Sequence, residues 1–171
     1  TPNGGFTASG GEPLLQPHFL ISLFKKLKQE NIHTAIDTSG MVELTEPIKE
    51  LLSLTDLVLL DIKHINPEKS KELVGASNEK ELAFAKYLSD NNIPIWIRQV
   101  IVPRITDNED DLIKLKDFIS SLKTVKNIEL LPYHNLGKHK WETLGFEYKL
   151  KDVRQATADD INRVKTILEI N

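Results

Sequence analysis

The chain has 171 residues, of which 40% are hydrophobic and 27% charged, and its net charge at neutral pH is −3. A chain of this length can bury a core of its own, so we expect residues 1–171 to form a single domain. The small negative charge offers no basic surface for nucleic acid or an anionic membrane, and no apolar run is long enough to span a bilayer.

The sequence contains no cysteine. Disulfides, thiolate nucleophiles and cysteine-ligated clusters are therefore beyond what these residues can build alone. The absence of cysteine fits a cytoplasmic protein. The chain starts at Thr1 without a Met and runs directly into a strand-like segment. We therefore expect a C-terminal portion of a longer protein.

Strand-like and helix-like segments alternate along the chain. The predicted strands are the segment before Ser9 and residues 32–40, 57–63, 93–102 and 128–134. Apolar residues at helical spacing predict helices within residues 19–27, 48–52, 82–91, 112–122 and 161–168. We expect Thr45 to be an N-cap, Thr106 with Glu109 and Thr157 with Asp160 to form capping boxes, and residues 135–150 to form a loop. This order predicts an α/β protein with about five parallel strands and outer helices.

Polar groups follow each predicted strand at its C-terminal end. They are Gly10-Gly11-Glu12, Asp37-Thr38, Asp61 with Lys63, Arg98, and Tyr133-His134. Ligands of parallel α/β proteins bind at these ends, so we expect one shared site. Glycine backbone, ribose-binding carboxylates and a carboxylate-binding lysine together suit a nucleoside that bears an amino acid.

Each of these residues also has a structural explanation when taken alone. Glu12 fits a solvated turn residue, Asp37 a helix cap, Lys63 a surface lysine, Arg98 an ion-pair partner and His134 a turn histidine. His33 and His64 lack metal-ligand spacing, and we interpret both as structural. No nucleophile with a matching base is evident, so we assign no catalytic residue.

Five segments of the chain carry a resemblance to a known family. They are residues 7–13, 37–40, 59–63 and 96–98 and the long run 129–141. With them the sequence resembles, over essentially its whole length, the pyruvate formate-lyase activating enzymes. These are glycyl-radical activases of the radical S-adenosylmethionine superfamily. The Gly-Gly-Glu-Pro segment is common to the superfamily, whereas the last run points to this branch.

The resemblance implies a fold and a set of binding residues. The fold is a partial (β/α)6 barrel, truncated at the N-terminus. S-adenosylmethionine would be bound through its ammonium group by Gly10, Gly11 and Glu12, through its ribose and carboxylate by Asp61, Ile62 and Lys63, and covered by His134. Arg98 would lie near the glycyl-loop substrate. A monovalent cation would be bound by Asp37, Thr38, the Leu59 carbonyl and Asp61.

The sequence departs from the family at the iron-sulfur cluster. Family members bind a [4Fe-4S] cluster through a Cys-x3-Cys-x2-Cys segment, and this chain has no cysteine. We therefore expect these residues alone to be inactive, with the cluster ligands upstream of Thr1. The implied function is to generate a glycyl radical on pyruvate formate-lyase, with electrons from a donor such as flavodoxin or ferredoxin.

Two other functions stay open at this stage. The first is a module without a cluster that binds a nucleoside, or docks on a partner through residues 135–148, without catalysis. The second is an ordinary α/β-barrel lyase or isomerase that uses Lys63 or Glu12 as an acid-base group, which leaves the Gly-Gly-Glu-Pro turn unexplained.

Overall fold

The structure is a computed structural model that describes residues 4–170, apart from the side chain of Glu142. Its strands form one parallel sheet in the sequential order β1-β2-β3-β4-β5, which confirms the predicted α/β class. The strands are β1 (Gly5–Ala8), β2 (His33–Thr38), β3 (Leu57–Asp61), β4 (Ile95–Ile101) and β5 (Val125–Pro132).

Helices lie between the strands and after β5. They are α1 (Pro17–Gln29), α2 (Glu46–Ser53), α3 (Pro67–Val74), α4 (Glu79–Asp90), α5 (Glu109–Ser120), α6 (Lys138–Thr143) and α7 (Ala158–Leu168), and a 3-10 turn, Pro13–Leu15, follows β1. No helix within residues 4–170 is long and apolar enough to cross a membrane.

The two faces of the sheet differ in burial. On one face Val58, Leu60 and Ile97 are fully buried in the apolar core formed with the helices. On the other face Leu57 and Leu59 of β3 are only partly buried. Across this open face Asp37 is paired with Leu59, and Leu59 with Trp96. Asp61 and Arg98 form the next pair on the same face, so Asp37, Asp61 and Arg98 can approach one another.

The N-terminal caps of α2 and α7 lie where the sequence predicted them, whereas that of α5 does not. Thr157 and Asp160 form the expected capping box of α7. The box predicted from Thr106 is wrong: Asn108 caps α5 and accepts a hydrogen bond from Asp111 N. The Thr106 hydroxyl instead accepts from Val102 N and donates to Val100 O. Thr45 is the N-cap of α2, as predicted, but its side chain makes no capping hydrogen bond.

Two helices were not predicted. Helix α3 has only one buried residue, Ser70, so it carries no apolar stripe. The sequence features that mark this helix are at its two ends. The side chain of Asn66 accepts hydrogen bonds from two backbone amides at the start, and Gly75 adopts the left-handed conformation at the end. Helix α6 lies inside the predicted loop 135–150, where the ring of Trp141 packs against those of Phe146 and Tyr148.

Gly40, which follows β2, is tightly enclosed. Its φ is +67°, and an added Cβ would lie 2.8 Å from Leu60 Cδ1 and 3.1 Å from Phe84 Cδ1. We expect Gly40→Ala to lower the free energy of unfolding by about 2–3 kcal/mol, measured by urea denaturation. Gly75→Ala is the control, because Gly75 has a φ of +82° but open space around it, and only the cost of the backbone conformation, about 1 kcal/mol, is expected. Equal losses in both variants would contradict the role of packing.

Candidate functional site

A polar cleft of about 340 Å³ lies at the C-terminal ends of the first four strands. It brings together the predicted groups at the ends of β1 to β4, whereas Tyr133 and His134 after β5 do not line it. Its lining residues are Ser9, Gly10, Gly11, Glu12, Asp37, Thr38, Ser39, Asp61, Lys63 and Arg98. A second cavity, of about 400 Å³, lies between α3 and the segment around Trp141 and Tyr148, and none of the predicted cofactor, cation or substrate residues lines it.

An ion-pair chain crosses the cleft. Arg98 Nε lies 2.7 Å from Asp61 Oδ1, and Arg98 Nη2 pairs with Asp37 Oδ1. Lys63 Nζ lies 2.8 Å from the other Asp61 oxygen. Burial opposes the charge on Arg98, but Asp61 and Asp37 outweigh it, so the pKa of Arg98 is raised. Arg98 thus supplies the positive charge between the two carboxylates to which the resemblance assigned a monovalent cation.

Glu12 is not the solvated turn residue that its position in a loop suggests. Its Oε1 accepts hydrogen bonds from Thr38 Oγ1 at 2.7 Å and from Leu14 N at 3.2 Å. Its Oε2 accepts from Ser39 Oγ at 2.8 Å and from Ser39 N at 3.1 Å. A carboxylate has about four acceptor positions, so Glu12 is saturated. It ties the turn after β1 to the turn after β2.

The two glycines of this turn leave the cleft open. Gly10 has a φ of +141°, which side-chain-bearing residues rarely adopt, and a Cβ added to either Gly10 or Gly11 would meet no atom within 4 Å. Backbone groups of both residues are therefore accessible to a ligand.

The structure does not bring every predicted residue into the cleft lining. Ile62 is 1% exposed and belongs to the core, so its side chain is not at the surface. His134 is exposed after β5 and lies outside the cleft lining. Leu59 is within β3, directly across from Asp37 and two register positions from the Asp61–Arg98 pair. His64 is buried, with Nε2 3.1 Å from Ile105 O and Nδ1 accepting from Asn66 N, which fits the structural role predicted for it.

Sequence reasoning missed Glu81 of α4, which is 0% exposed and lies beneath the cleft. Its Oε1 accepts a hydrogen bond from Lys63 N at 3.1 Å. Burial raises its pKa from 4.5 to about 8, with the charge of Asp61 adding to the rise and that of Lys63 opposing it. A signal for Glu81 was present in the sequence. It lies one helical turn before Ala85 and two turns before Leu88, so it is an acidic residue on the apolar stripe of α4.

The pKa of Glu81 predicts how stability changes with pH. The folded protein keeps the Glu81 proton up to about pH 8, whereas the unfolded chain releases it near 4.5. The stability contributed by the neutral carboxyl group is therefore complete below pH 4.5 and is lost as the pH rises through about 8. Relative to Glu81→Gln, we expect wild type to lose on the order of 3–5 kcal/mol across this range, measured by urea unfolding. A constant difference between the two proteins would contradict the expected shift.

Known proteins share this fold and much of this sequence. The model of the Radical SAM superfamily matches residues 3–116. The chain is 50% identical over 167 residues to the pyruvate formate-lyase 1-activating enzyme of Escherichia coli K12, a match that covers 97% of this chain and 68% of that protein. This chain belongs to the radical SAM superfamily and, within it, to the pyruvate formate-lyase-activating enzymes. The resemblance seen in the sequence is thereby confirmed.

Further relatives agree with this membership of the radical SAM superfamily. The chain is 53% identical over 155 residues to a pyruvate formate-lyase-activating enzyme of Staphylococcus aureus USA300, and spans 62% of that protein. The crystal structure of a domain of such an enzyme from Bacteroides vulgatus superposes with a TM-score of 0.80 at 26% identity, over 97% of this chain and 93% of that one. Streptococcus suis SuiB, at 18% identity and a TM-score of 0.69, shares the fold.

Radical SAM enzymes use S-adenosylmethionine and a [4Fe-4S] cluster. The donor set of the cleft fits S-adenosylmethionine, since accessible glycine backbone, carboxylates and a lysine match its ammonium, ribose and carboxylate groups. The cluster does not fit these residues, because none of the 171 is a cysteine. Among residues 4–170, no group of three or more His, Asp or Glu side chains is arranged to hold a metal ion.

Proposed function

We propose that this chain forms the S-adenosylmethionine-binding part of an enzyme that generates a glycyl radical on pyruvate formate-lyase. The observation that carries the proposal is the cleft, in which the glycine turn after β1 and the Asp37–Arg98–Asp61–Lys63 chain meet at one sheet edge. The 50% identity to the E. coli enzyme, across 97% of this chain, supports the choice of partner.

Each group in the cleft has a proposed contact. Backbone groups of Gly10 and Gly11 bind the methionyl ammonium, while the saturated Glu12 holds their turn in place and contributes its negative charge at short range. Lys63, whose side chain is 31% exposed, binds the methionyl carboxylate. Asp61 accepts hydrogen bonds from the ribose, with Ile62 contributing through its backbone and His134 closing the site from the end of β5.

Arg98 and the carboxylates beside it have a proposed role toward the protein substrate. Its side chain is 17% exposed and its position is fixed by two ion pairs, so its remaining donors can hydrogen-bond a backbone carbonyl of the glycine-bearing loop. A monovalent cation held by Asp37, Thr38, the Leu59 carbonyl and Asp61 would have to share these carboxylates with Arg98.

The cluster ligands belong, in this proposal, to cysteines outside the 171 residues. A cluster held by such cysteines would supply the electron for reductive cleavage of S-adenosylmethionine, and the residues of the cleft would orient that cofactor. A single domain over residues 1–171, a cytoplasmic location and an electron donor such as flavodoxin or ferredoxin are parts of the same proposal.

Equilibrium dialysis of the chain with labelled S-adenosylmethionine tests the binding step. We expect binding by wild type and a roughly tenfold weaker affinity for Lys63→Met, since one charge-assisted contact is lost. Lys25→Met is the control, because Lys25 pairs with Glu50 on the exposed surface, away from the cleft. Equal affinity of all three proteins would refute the assigned site.

Electron paramagnetic resonance tests the reaction step. A protein that joins these residues to a cysteine-bearing segment is reconstituted with iron and sulfide and incubated with reductant, S-adenosylmethionine and pyruvate formate-lyase. A glycyl radical signal on the lyase is expected. Cofactor binding with no radical on any glycyl-radical partner would favour the module without catalysis.

A further inference from the structure

Two buried polar side chains lie under the cleft without lining it. Glu81 on α4 is 0% exposed and Gln99 on β4 is 2% exposed. Each keeps one oxygen, Glu81 Oε2 and Gln99 Oε1, without a hydrogen-bond partner among the described residues. Both approach the same residue: Glu81 Oε1 accepts from Lys63 N at 3.1 Å, and Gln99 Nε2 makes a long contact of 3.5 Å with Lys63 O.

The position of Lys63 explains why its backbone needs such a partner. β3 ends at Asp61, and the amide of Ile62 still donates to the backbone of β4, at Arg98 O, over 2.9 Å. The amide of the next residue, Lys63, donates to the Glu81 side chain instead. Glu81 therefore supplies the acceptor for the Lys63 amide that strand β4 supplies for the amide of Ile62.

Stability alone does not account for a carboxyl group at position 81. Phe84, Ala85 and Leu88 of the same helix are fully buried and apolar, and Glu81 continues their stripe. A buried carboxyl group with one unpartnered oxygen costs free energy that a hydrophobic residue of similar size would not. The contact that Glu81 does make leads directly to the lysine of the cleft.

We propose that Glu81 is a positioning residue that fixes the main chain of Lys63, so that the Lys63 ammonium group stays beside Asp61 and faces the ligand. The side chain of Lys63 begins at this main chain and reaches Asp61 Oδ2 at 2.8 Å, so a shift of the backbone moves the cation. The identity of the ligand rests on the proposed function, whereas the positioning of Lys63 does not.

Two measurements on the full chain test the proposal, with Glu81→Leu and Glu81→Gln as variants. The first is hydrogen exchange of the Lys63 amide followed by NMR, which needs no cofactor. We expect protection of this amide to fall about tenfold in Glu81→Leu and to stay within about twofold of wild type in Glu81→Gln, because glutamine keeps the acceptor oxygen. The second is the affinity for S-adenosylmethionine, which we expect to fall about fivefold in Glu81→Leu and to recover in Glu81→Gln.

Global unfolding separates positioning from a merely structural role. Glu81→Leu removes a buried polar group, so its urea midpoint is expected to equal or exceed that of wild type while Lys63 loses protection. Leu88→Ala, in the same helix, is the matched control: it creates a cavity, lowers the midpoint, and leaves the affinity for S-adenosylmethionine unchanged under native conditions.

The outcomes discriminate between the two proposals. Wild-type protection of Lys63 in Glu81→Leu overturns the positioning role, and so does a loss of affinity that Leu88→Ala reproduces. If wild type binds no S-adenosylmethionine but Glu81→Leu still exposes the Lys63 amide, the positioning role stands and the assigned cofactor is wrong.

Discussion

Replacing Glu12 by alanine is expected to weaken S-adenosylmethionine binding by roughly a hundredfold and to lower the free energy of unfolding by about 2 kcal/mol. The reason is that one carboxylate accepts hydrogen bonds from Leu14, Thr38 and Ser39 and thereby joins the turns after β1 and β2. Without it the glycine turn loses its fixed position as well as its negative charge. Equilibrium dialysis and urea unfolding measure the two effects.

A conservative variant and a control variant test this expectation for Glu12. Glu12→Gln keeps one acceptor oxygen, so we expect it to retain part of the stability and to lose most of the charge effect on binding. Glu50→Ala is the control, since Glu50 is half exposed and its 2.7 Å pair with Lys25 lies on the surface. It is expected to change stability by less than about 1 kcal/mol. A Glu12→Ala protein with wild-type affinity would remove Glu12 from the binding site.

Arg98→Leu is expected to lower the free energy of unfolding by about 3 kcal/mol, because it removes the cation between Asp37 and Asp61 and leaves only Lys63 beside Asp61 to offset their repulsion. The carboxylates are 26% and 21% exposed, so solvent relieves part of their repulsion. The deficit should therefore shrink as salt is added. Urea unfolding at low and high ionic strength measures it.

A triple variant shows whether charge is the cause. Asp37→Asn and Asp61→Asn added to Arg98→Leu remove the repulsion, and we expect them to restore most of the lost stability. Arg98→Lys should lie between wild type and Arg98→Leu, because lysine keeps the charge but cannot donate to both carboxylates through one planar group. A triple variant as unstable as Arg98→Leu would show that packing, rather than charge, is what Arg98 provides.

The sequence predicted the sheet and much of the cleft because these depend on local patterns. Strand and helix periodicity predicted the alternation of the five strands with helices α1, α2, α4, α5 and α7. The rule that ligands bind at strand ends predicted that Asp37, Asp61 and Arg98 lie together. The strand register adds the position of the ion pair, since Asp61 on β3 lies directly opposite Arg98 on β4.

The remaining features depend on contacts that no local pattern contains. Glu12 accepts hydrogen bonds from Thr38 and Ser39, which lie 26 and 27 positions away in the chain. The residues around Glu12 in the sequence therefore could not predict these hydrogen bonds. Glu81 meets the Lys63 amide across 18 positions, and its place on the apolar stripe of α4 does not reveal that contact. Helix α3 was missed because it has no apolar stripe between its capping residues Asn66 and Gly75.

The short edge strand β1 has a consequence for how the cleft responds to its ligand. β1 has four residues, of which only Ala8 is buried, and it pairs with β2 over Gly5–Ala8. Opening of this strand therefore costs less than opening of the buried strand β3. A ligand that binds the attached glycine turn selects the closed form and adds its own binding free energy to it. Occupancy of the cofactor cleft thereby stabilises the pairing of β1 with β2 against local opening.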